Sequence, residues 1–149
     1  MFNIDDFETT VINHNETAFV FRVEEGDMYD VDLHIVFEQY ATGGTGVNAT
    51  IPLYTYTAEK ETLASLIDTF VHNLRGVIEN TQTTATIDME YGEFSLQVTR
   101  HDDSFLVNAG DVTCNTDIQW YNVDKETITA MVDALVSFSG KVKNMDLAA

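Results

Sequence analysis

The run Tyr56-Thr57-Ala58-Glu59-Lys60-Glu61-Thr62-Leu63 returns 65 residues later as Tyr121-Asn122-Val123-Asp124-Lys125-Glu126-Thr127-Ile128. The match continues without a gap, Leu66 falling on Met131, Ile67 on Val132, Asp68 on Asp133, Phe70 on Leu135 and Val71 on Val136. Any two amphipathic helices share apolar spacing. A shared Tyr-x-x-acid-Lys-Glu-Thr is harder to obtain by chance. At the same offset Tyr29, Val31 and Leu33 fall on Phe94, Leu96 and Val98, and one residue of slip brings Phe21-Arg22-Val23-Glu24 onto Ile87-Asp88-Met89-Glu90 and Gly26 onto Gly92. Internal repetition decides the architecture before any other feature is read. The chain is expected to be one domain, 1–149, with a pseudo-repeat over 18–76 and 84–141.

Each unit reads as strands followed by a helix. Apolar residues at 63, 66, 67, 70, 71 and 74 recur at i, i+3, i+4, i+7, i+8 and i+11, and the second copy repeats this at 128, 131, 132, 135 and 136. That is one stripe along a helix. Thr57 and Asn122 stand where an N-cap belongs, and Gly76 and Gly140 are suitable stops. Upstream the period is two. Phe19, Phe21 and Val23 alternate with Val20, Arg22 and Glu24; Tyr29, Val31, Leu33 and Ile35 with Asp30, Asp32 and His34; Phe94, Leu96 and Val98 with Ser95, Gln97 and Thr99; Ile118 and Trp120 with Asp117 and Gln119. Such alternation marks antiparallel strands with one buried and one wet face.

Glu24-Glu25-Gly26-Asp27, Glu90-Tyr91-Gly92-Glu93 and His101-Asp102-Asp103 are hairpin-turn candidates. Ala41 to Gly46 reads as a loop, Pro52 suits an edge strand, and Asn144 to Ala149 reads as a frayed tail. The fold class is therefore α+β: two pseudo-repeated units of three or four strands and a helix, forming a largely antiparallel sheet with two amphipathic helices side by side on one face. Leu66, Ile67, Phe70, Phe94, Leu96, Trp120, Met131, Val132 and Leu135 are the expected core.

A chain of 149 residues with 44% apolar content can bury a core of its own. Its single cysteine, Cys114, has no internal disulfide partner and reads as a small buried hydrophobe on a strand in a reducing compartment. Met1 to Asp6 has neither the basic region nor the apolar run of a signal peptide, so Asn15-Glu16-Thr17 and Asn48-Ala49-Thr50 are read as chance sequons. No stretch approaches the ~20 apolar residues that span a bilayer. A cytoplasmic protein without membrane contact is expected.

The unusual quantity is charge: 25 acids against seven bases, −18 in all. The helical regions 57–76 and 122–149 each carry −1. The other eighteen acids lie on strands and turns opposed by Arg22 and Arg100, a net −16. With the helices covering the apolar side, Glu24, Glu25, Asp27, Asp30, Asp32, Asp88 and Glu90 are expected on an open acidic face and its turns, as the surface that meets a partner. Such a field repels nucleic acid and anionic lipid and draws basic proteins. Seven scattered bases cannot neutralise a phosphate backbone, so direct nucleic-acid binding is rejected.

Catalytic signals are weak. His14, His34, His72 and His101 fall in four elements, none at metal-ligand spacing from another or from Cys114. His34 has Asp30 and Asp32 on its own face, a polar surface cluster. Gly43-Gly44-Thr45-Gly46 precedes a strand pattern, so it offers no helix N-terminus to a phosphate. No catalytic residue, metal ligand or cofactor site is assigned.

The layout resembles the small, acidic immunity proteins that accompany bacterial polymorphic toxins. The residues carrying the resemblance are the helix Leu63-x-x-Leu66-Ile67-x-x-Phe70-Val71-x-x-Leu74 and, after the strand Glu93-Phe94-Ser95-Leu96-Gln97-Val98, the helix Ile128-x-x-Met131-Val132-x-x-Leu135. The tryptophan- and proline-containing signatures of that family's first strands are absent. The resemblance implies a non-enzymatic inhibitor that binds a cognate toxin. Two other functions fit the composition: a phage-type mimic of DNA charge that occupies a host nucleic-acid-binding protein, and a small hydrolase or ligand-binding domain with its site between sheet and helices.

Overall fold

In the computed structural model, which describes residues 7–14, 16–40, 47–90, 92–111 and 116–145, two β-meanders are each followed by a 19-residue helix. The order is β1 (Phe7–His14), β2 (Thr17–Glu25), β3 (Asp30–Tyr40), β4 (Val47–Glu59), α1 (Lys60–Ile78), β5 (Thr84–Met89), β6 (Phe94–His101), β7 (Ser104–Asp111), β8 (Thr116–Val123) and α2 (Lys125–Lys143). All ladders are antiparallel. The strands form two four-stranded sheets, β1-β2-β3-β4 and β5-β6-β7-β8, where one sheet was expected. The reason is the helix between them. β4 runs directly into α1, which lies against β5 and β6 of the second sheet, while α2 lies against β1 of the first. The chain leaves one sheet before it builds the next. The two helices pack side by side, as their equal stripes predict.

The 65-residue offset holds for the helix starts, but 77 residues separate the starts of β1 and β5. A gapless shift therefore lays β2 and β3 on β5 and β6, although their topological counterparts are β6 and β7. Longer strands and connections in the first unit account for the drift.

The buried side chains of both sheets and both helices form one apolar cluster. Its centre is aromatic: Phe19 of β2 stacks on Phe94 of β6 with ring centroids 6.0 Å apart and meets Trp120 of β8 edge-on at 5.8 Å, while Tyr54 of β4 stacks on Phe94 at 5.6 Å. Trp120 donates its indole N–H to Thr17 Oγ1 at 2.7 Å, so its one polar atom is satisfied. Of the expected core, Leu66 is only partly buried. The buried stripe of α1 is Leu63, Ala64, Ile67, Phe70, Val71, Leu74, Gly76 and Val77, with Leu66 at its margin. Val136 is 44% exposed.

Helix ends differ from expectation by two or three residues. Thr57 stays in the β3–β4 ladder, and the N-caps are Glu59 and Asp124. Asp124 accepts from the Thr127 backbone N–H at 2.8 Å, while Glu59 makes no cap bond. α1 runs past Gly76 and ends where Asn80 takes a left-handed φ of 64°; the amides of Asn80 and Thr81 return to the carbonyls of Val77 and Gly76, a Schellman closure. Arg100 of β6 donates to the carbonyls of Val77 and Ile78 at 3.0 and 2.7 Å. One of the two bases set against the strand acids is thus engaged with a helix end. α2 likewise continues past Gly140 to Lys143, and Met145 beyond it is 3% exposed, so the tail is packed at least that far.

Pro52 lies on the edge strand β4 beside a bulge at Leu53, and a bulge in β1 lets the neighbours Val11 and Ile12 both be buried. Residues 41–46, expected as a loop, Cys114, Asn15, Met1–Asp6 and Tyr91 lie outside the described residues; the Glu93 amide donates to the Glu90 carbonyl, as a turn between them requires. Asn48 is in β4.

Candidate partner-binding surface at the acidic end of the first sheet

Strand register decides which carboxylates meet. On the outer face of the first sheet, Glu24 of β2 stands opposite Asp32 of β3, which stands opposite Thr57 of β4, and Asp30 stands opposite Glu59. Directly opposed like charges destabilise a ladder, and hydrogen bonds offset part of that cost. Thr57 donates its hydroxyl to Asp32 Oδ1 at 2.7 Å. His34 Nε2 lies 2.8 Å from Glu24 Oε1, and a carboxylate can only accept, so Nε2 carries the hydrogen. In the neutral ring Nδ1 then accepts from the Thr55 hydroxyl at 3.2 Å. The expected companions of His34, Asp30 and Asp32, are replaced by Glu24, its diagonal neighbour on β2, and Thr55, directly opposite it on β4.

The hairpin turn sits three residues later than its sequence signal. β2 extends through Glu25, and the turn is Asp27-Met28-Tyr29-Asp30, closed by the Asp30 amide on the Asp27 carbonyl at 3.0 Å. Met28 and Tyr29 have φ of 54° and 71°. Positive φ at both central positions defines a type I′ turn, a place for Asn-Gly. Two bulky residues there cost on the order of 1–3 kcal/mol each. Both face water, Met28 87% and Tyr29 56% exposed, so Tyr29 is not the inward strand residue its alternation suggested. A groove runs from this turn to the start of α1. Its apolar lining is Met28, Tyr29 and Met145, and its acidic lining Asp30, Glu59 and Glu61. Lys60 also lines it, but its ammonium donates to the Met145 carbonyl at 2.7 Å.

Five of the seven expected partner-binding residues, Glu24, Glu25, Asp27, Asp30 and Asp32, thus gather at one hairpin end. The other two are elsewhere. Asp88 lies on the outer face of the second sheet opposite Ser95. Glu90 lines a separate groove with Tyr54, Glu93 and the buried Asp111. There Tyr54 donates to Glu93 Oε2 at 3.3 Å. Burial, then Glu90 and Glu93, push the Tyr54 hydroxyl well above the usual tyrosine range, and burial and Glu90 do the same more mildly for Tyr56. Both phenols therefore remain protonated at neutral pH, and Tyr54 is a donor to Glu93.

Residues the sequence did not single out include Met28, Tyr29, Glu59 and Glu61. The signal for the first two was the Asp-x-x-Asp bracket around them. Among the described residues no three His, Cys, Asp or Glu side chains are grouped to hold a metal ion, and no helix is long and apolar enough to cross a membrane. No family model, curated protein or solved structure matches the chain.

Proposed function

We propose that the protein is a non-enzymatic binding protein whose acidic first-sheet end captures a basic protein partner, most specifically a toxin that it neutralises. The observation that carries this reading is the clustering of Glu24, Asp27, Asp30, Asp32, Glu59 and Glu61 around one hairpin end with exposed apolar residues at its tip. Carboxylates also lie on the second sheet and both helices, as acidity serving only solubility would, but six of them gather around the exposed Met28 and Tyr29. A concentrated field instead steers an oppositely charged protein and raises its on-rate.

The test is association kinetics with the partner isolated by the tagged protein at low salt. That partner should be basic, with an on-rate that falls steeply with salt and an off-rate that changes little. Reversing Asp30 and Asp32 together to Lys should slow association, while reversing Asp88 and Asp133, on the second sheet and on α2, should matter less. Glu61 is unsuitable as a helix control because it lines the same groove as Asp30. An acidic partner or a salt-independent on-rate contradicts the reading.

A further inference from the structure

Met28 is the most exposed large hydrophobic side chain among the described residues, and its neighbour Tyr29 is also more than half exposed. A turn that places Met and Tyr where Asn-Gly fits best holds its shape against local preference. Beside it the groove offers two kinds of surface at once. Met28 supplies a polarisable, apolar wall and Tyr29 an aromatic ring, above the largely buried Met145. Asp30, Glu59 and Glu61 supply three carboxylates, while Lys60 is turned toward the Met145 carbonyl.

We propose, resting on the binding function above, that this turn and groove seat arginine side chains from a partner segment in which arginine alternates with apolar residues. A guanidinium stacks on a tyrosine face, and its planar fork pairs with carboxylates in a bidentate manner. Its methylene stem lies along the apolar wall that Met28 supplies. The positive end of α1 opposes a cation, but it amounts to about half a charge and three carboxylates outweigh it. The partner's apolar residues pack on the exposed Met28 tip. A uniformly polar basic chain would leave that tip uncovered, so charge complementarity and the exposed tip together specify the occupant.

The probes are two labelled peptides of equal length and charge, one repeating Arg-Leu-Ser and one repeating Arg-Ser-Ser, with binding read by fluorescence anisotropy. The wild-type protein should prefer the Leu-bearing peptide. Met28→Asn/Tyr29→Gly installs the residue pair that a type I′ turn favours, so its unfolding temperature should rise. It should lose roughly tenfold or more in affinity for the Leu-bearing peptide and clearly less for the Arg-Ser-Ser peptide, which forfeits the arginine contacts but no leucine packing. Tyr29→Ser, which keeps Met28 and an L-residue in the turn, should weaken both peptides through the lost guanidinium stacking and leave most of the preference for the Leu-bearing one. If both variants bind both peptides like the wild type, the inference is overturned while the acidic-surface reading stands. If the wild type binds neither peptide, or binds both independently of salt and of the Asp30→Lys/Asp32→Lys reversal, that reading falls and the inference with it.

Discussion

The two sheets are alike on the inside and unlike on the outside. Both inner faces are nearly continuous apolar surfaces, Phe19, Phe21, Val23, Val31, Leu33 and Ile35 in the first, Ile87, Met89, Phe94, Leu96, Val98 and Val107 in the second. Their outer faces share little. By register the first carries Glu8, Glu24, Asp30, Asp32, Glu38 and Glu59 beside Arg22 and His34. The second carries Thr84, Thr86, Gln97, Thr99, Asn108 and Gln119, with Asp88 and Asp117 confined to one end row. Folding demands apolar inner faces of both meanders, because each must bury itself against the helices and the other sheet. It makes no such demand of the outer faces. The difference lies on the side that folding leaves free: the second sheet's acids stand at its ends, Asp88 and Asp117 in that row and Glu90, Glu93, Asp102 and Asp103 in its turns.

The first way to break this contrast is from the inside. Phe94 touches Phe19 and Tyr54 of the other sheet, so Phe94→Ala should cost about 3–5 kcal/mol through lost burial and a cavity. Chemical denaturation showing a loss below about 1 kcal/mol would mean that the sheets do not share a core. Along α1, Leu63→Ala at a fully buried position should cost about 2–5 kcal/mol. Leu66→Ala, at the margin of the stripe, should cost clearly less, and equal losses would put Leu66 back in the core.

A smaller effect lies at the helix pair that joins the halves. Asp68 of α1 accepts from Ser139 at 2.6 Å and pairs with Lys143 at 2.7 Å, both on α2. Lys143, then Ser139, hold its carboxyl below the ordinary value of 3.8. A carboxyl whose folded pKa is depressed contributes stability above its unfolded pKa and loses it as pH falls through the folded one. Since Asp68 is nearly half exposed, Asp68→Asn should cost only about 0.2–1 kcal/mol at neutral pH. The gap from wild type should close as the pH drops below 3.8. A gap that persists in acid would show that the pair does not act through its charge.

The smallest contrast compares the caps. Asp124 bonds its helix terminus, and Thr127 holds its carboxyl below the usual range; Asp124→Ala should therefore lower the unfolding midpoint. Glu59 makes no such bond and faces Asp30. Glu59→Ala should leave the midpoint unchanged or raise it. Two equal losses would show that Glu59 serves the helix and not the acidic surface.

The α+β class, the paired helices and their stripes were legible in the sequence, since periods of 3.6 and 2 follow directly from backbone geometry. The division into two sheets was not. It depends on α1 packing against β5 rather than on any local propensity. The turn at Met28-Tyr29 escaped because the glycine in Glu24-Glu25-Gly26-Asp27 drew the turn toward itself, while register with β3 carried β2 to Glu25. Asn80 was passed over as a helix stop in favour of Gly76 for a similar reason: composition alone does not reveal which residue takes positive φ. The acidic surface was half legible. Alternation placed Asp30 and Asp32 on an open face, but the opposition of Glu24 to Asp32 and of Asp30 to Glu59 depends on pairing.

Amide chemical-shift mapping by NMR, during titration with the Arg-Leu-Ser peptide, tests most directly that the first sheet's acidic end is the docking surface. The shifts should concentrate at Glu24 to Asp32 and Thr57 to Glu61, spare Thr86, Gln97, Asn108 and Gln119 on the second sheet, and fade as salt is raised. Shifts spread evenly over the carboxylates of both sheets, or centred on the second sheet's outer face, would contradict it.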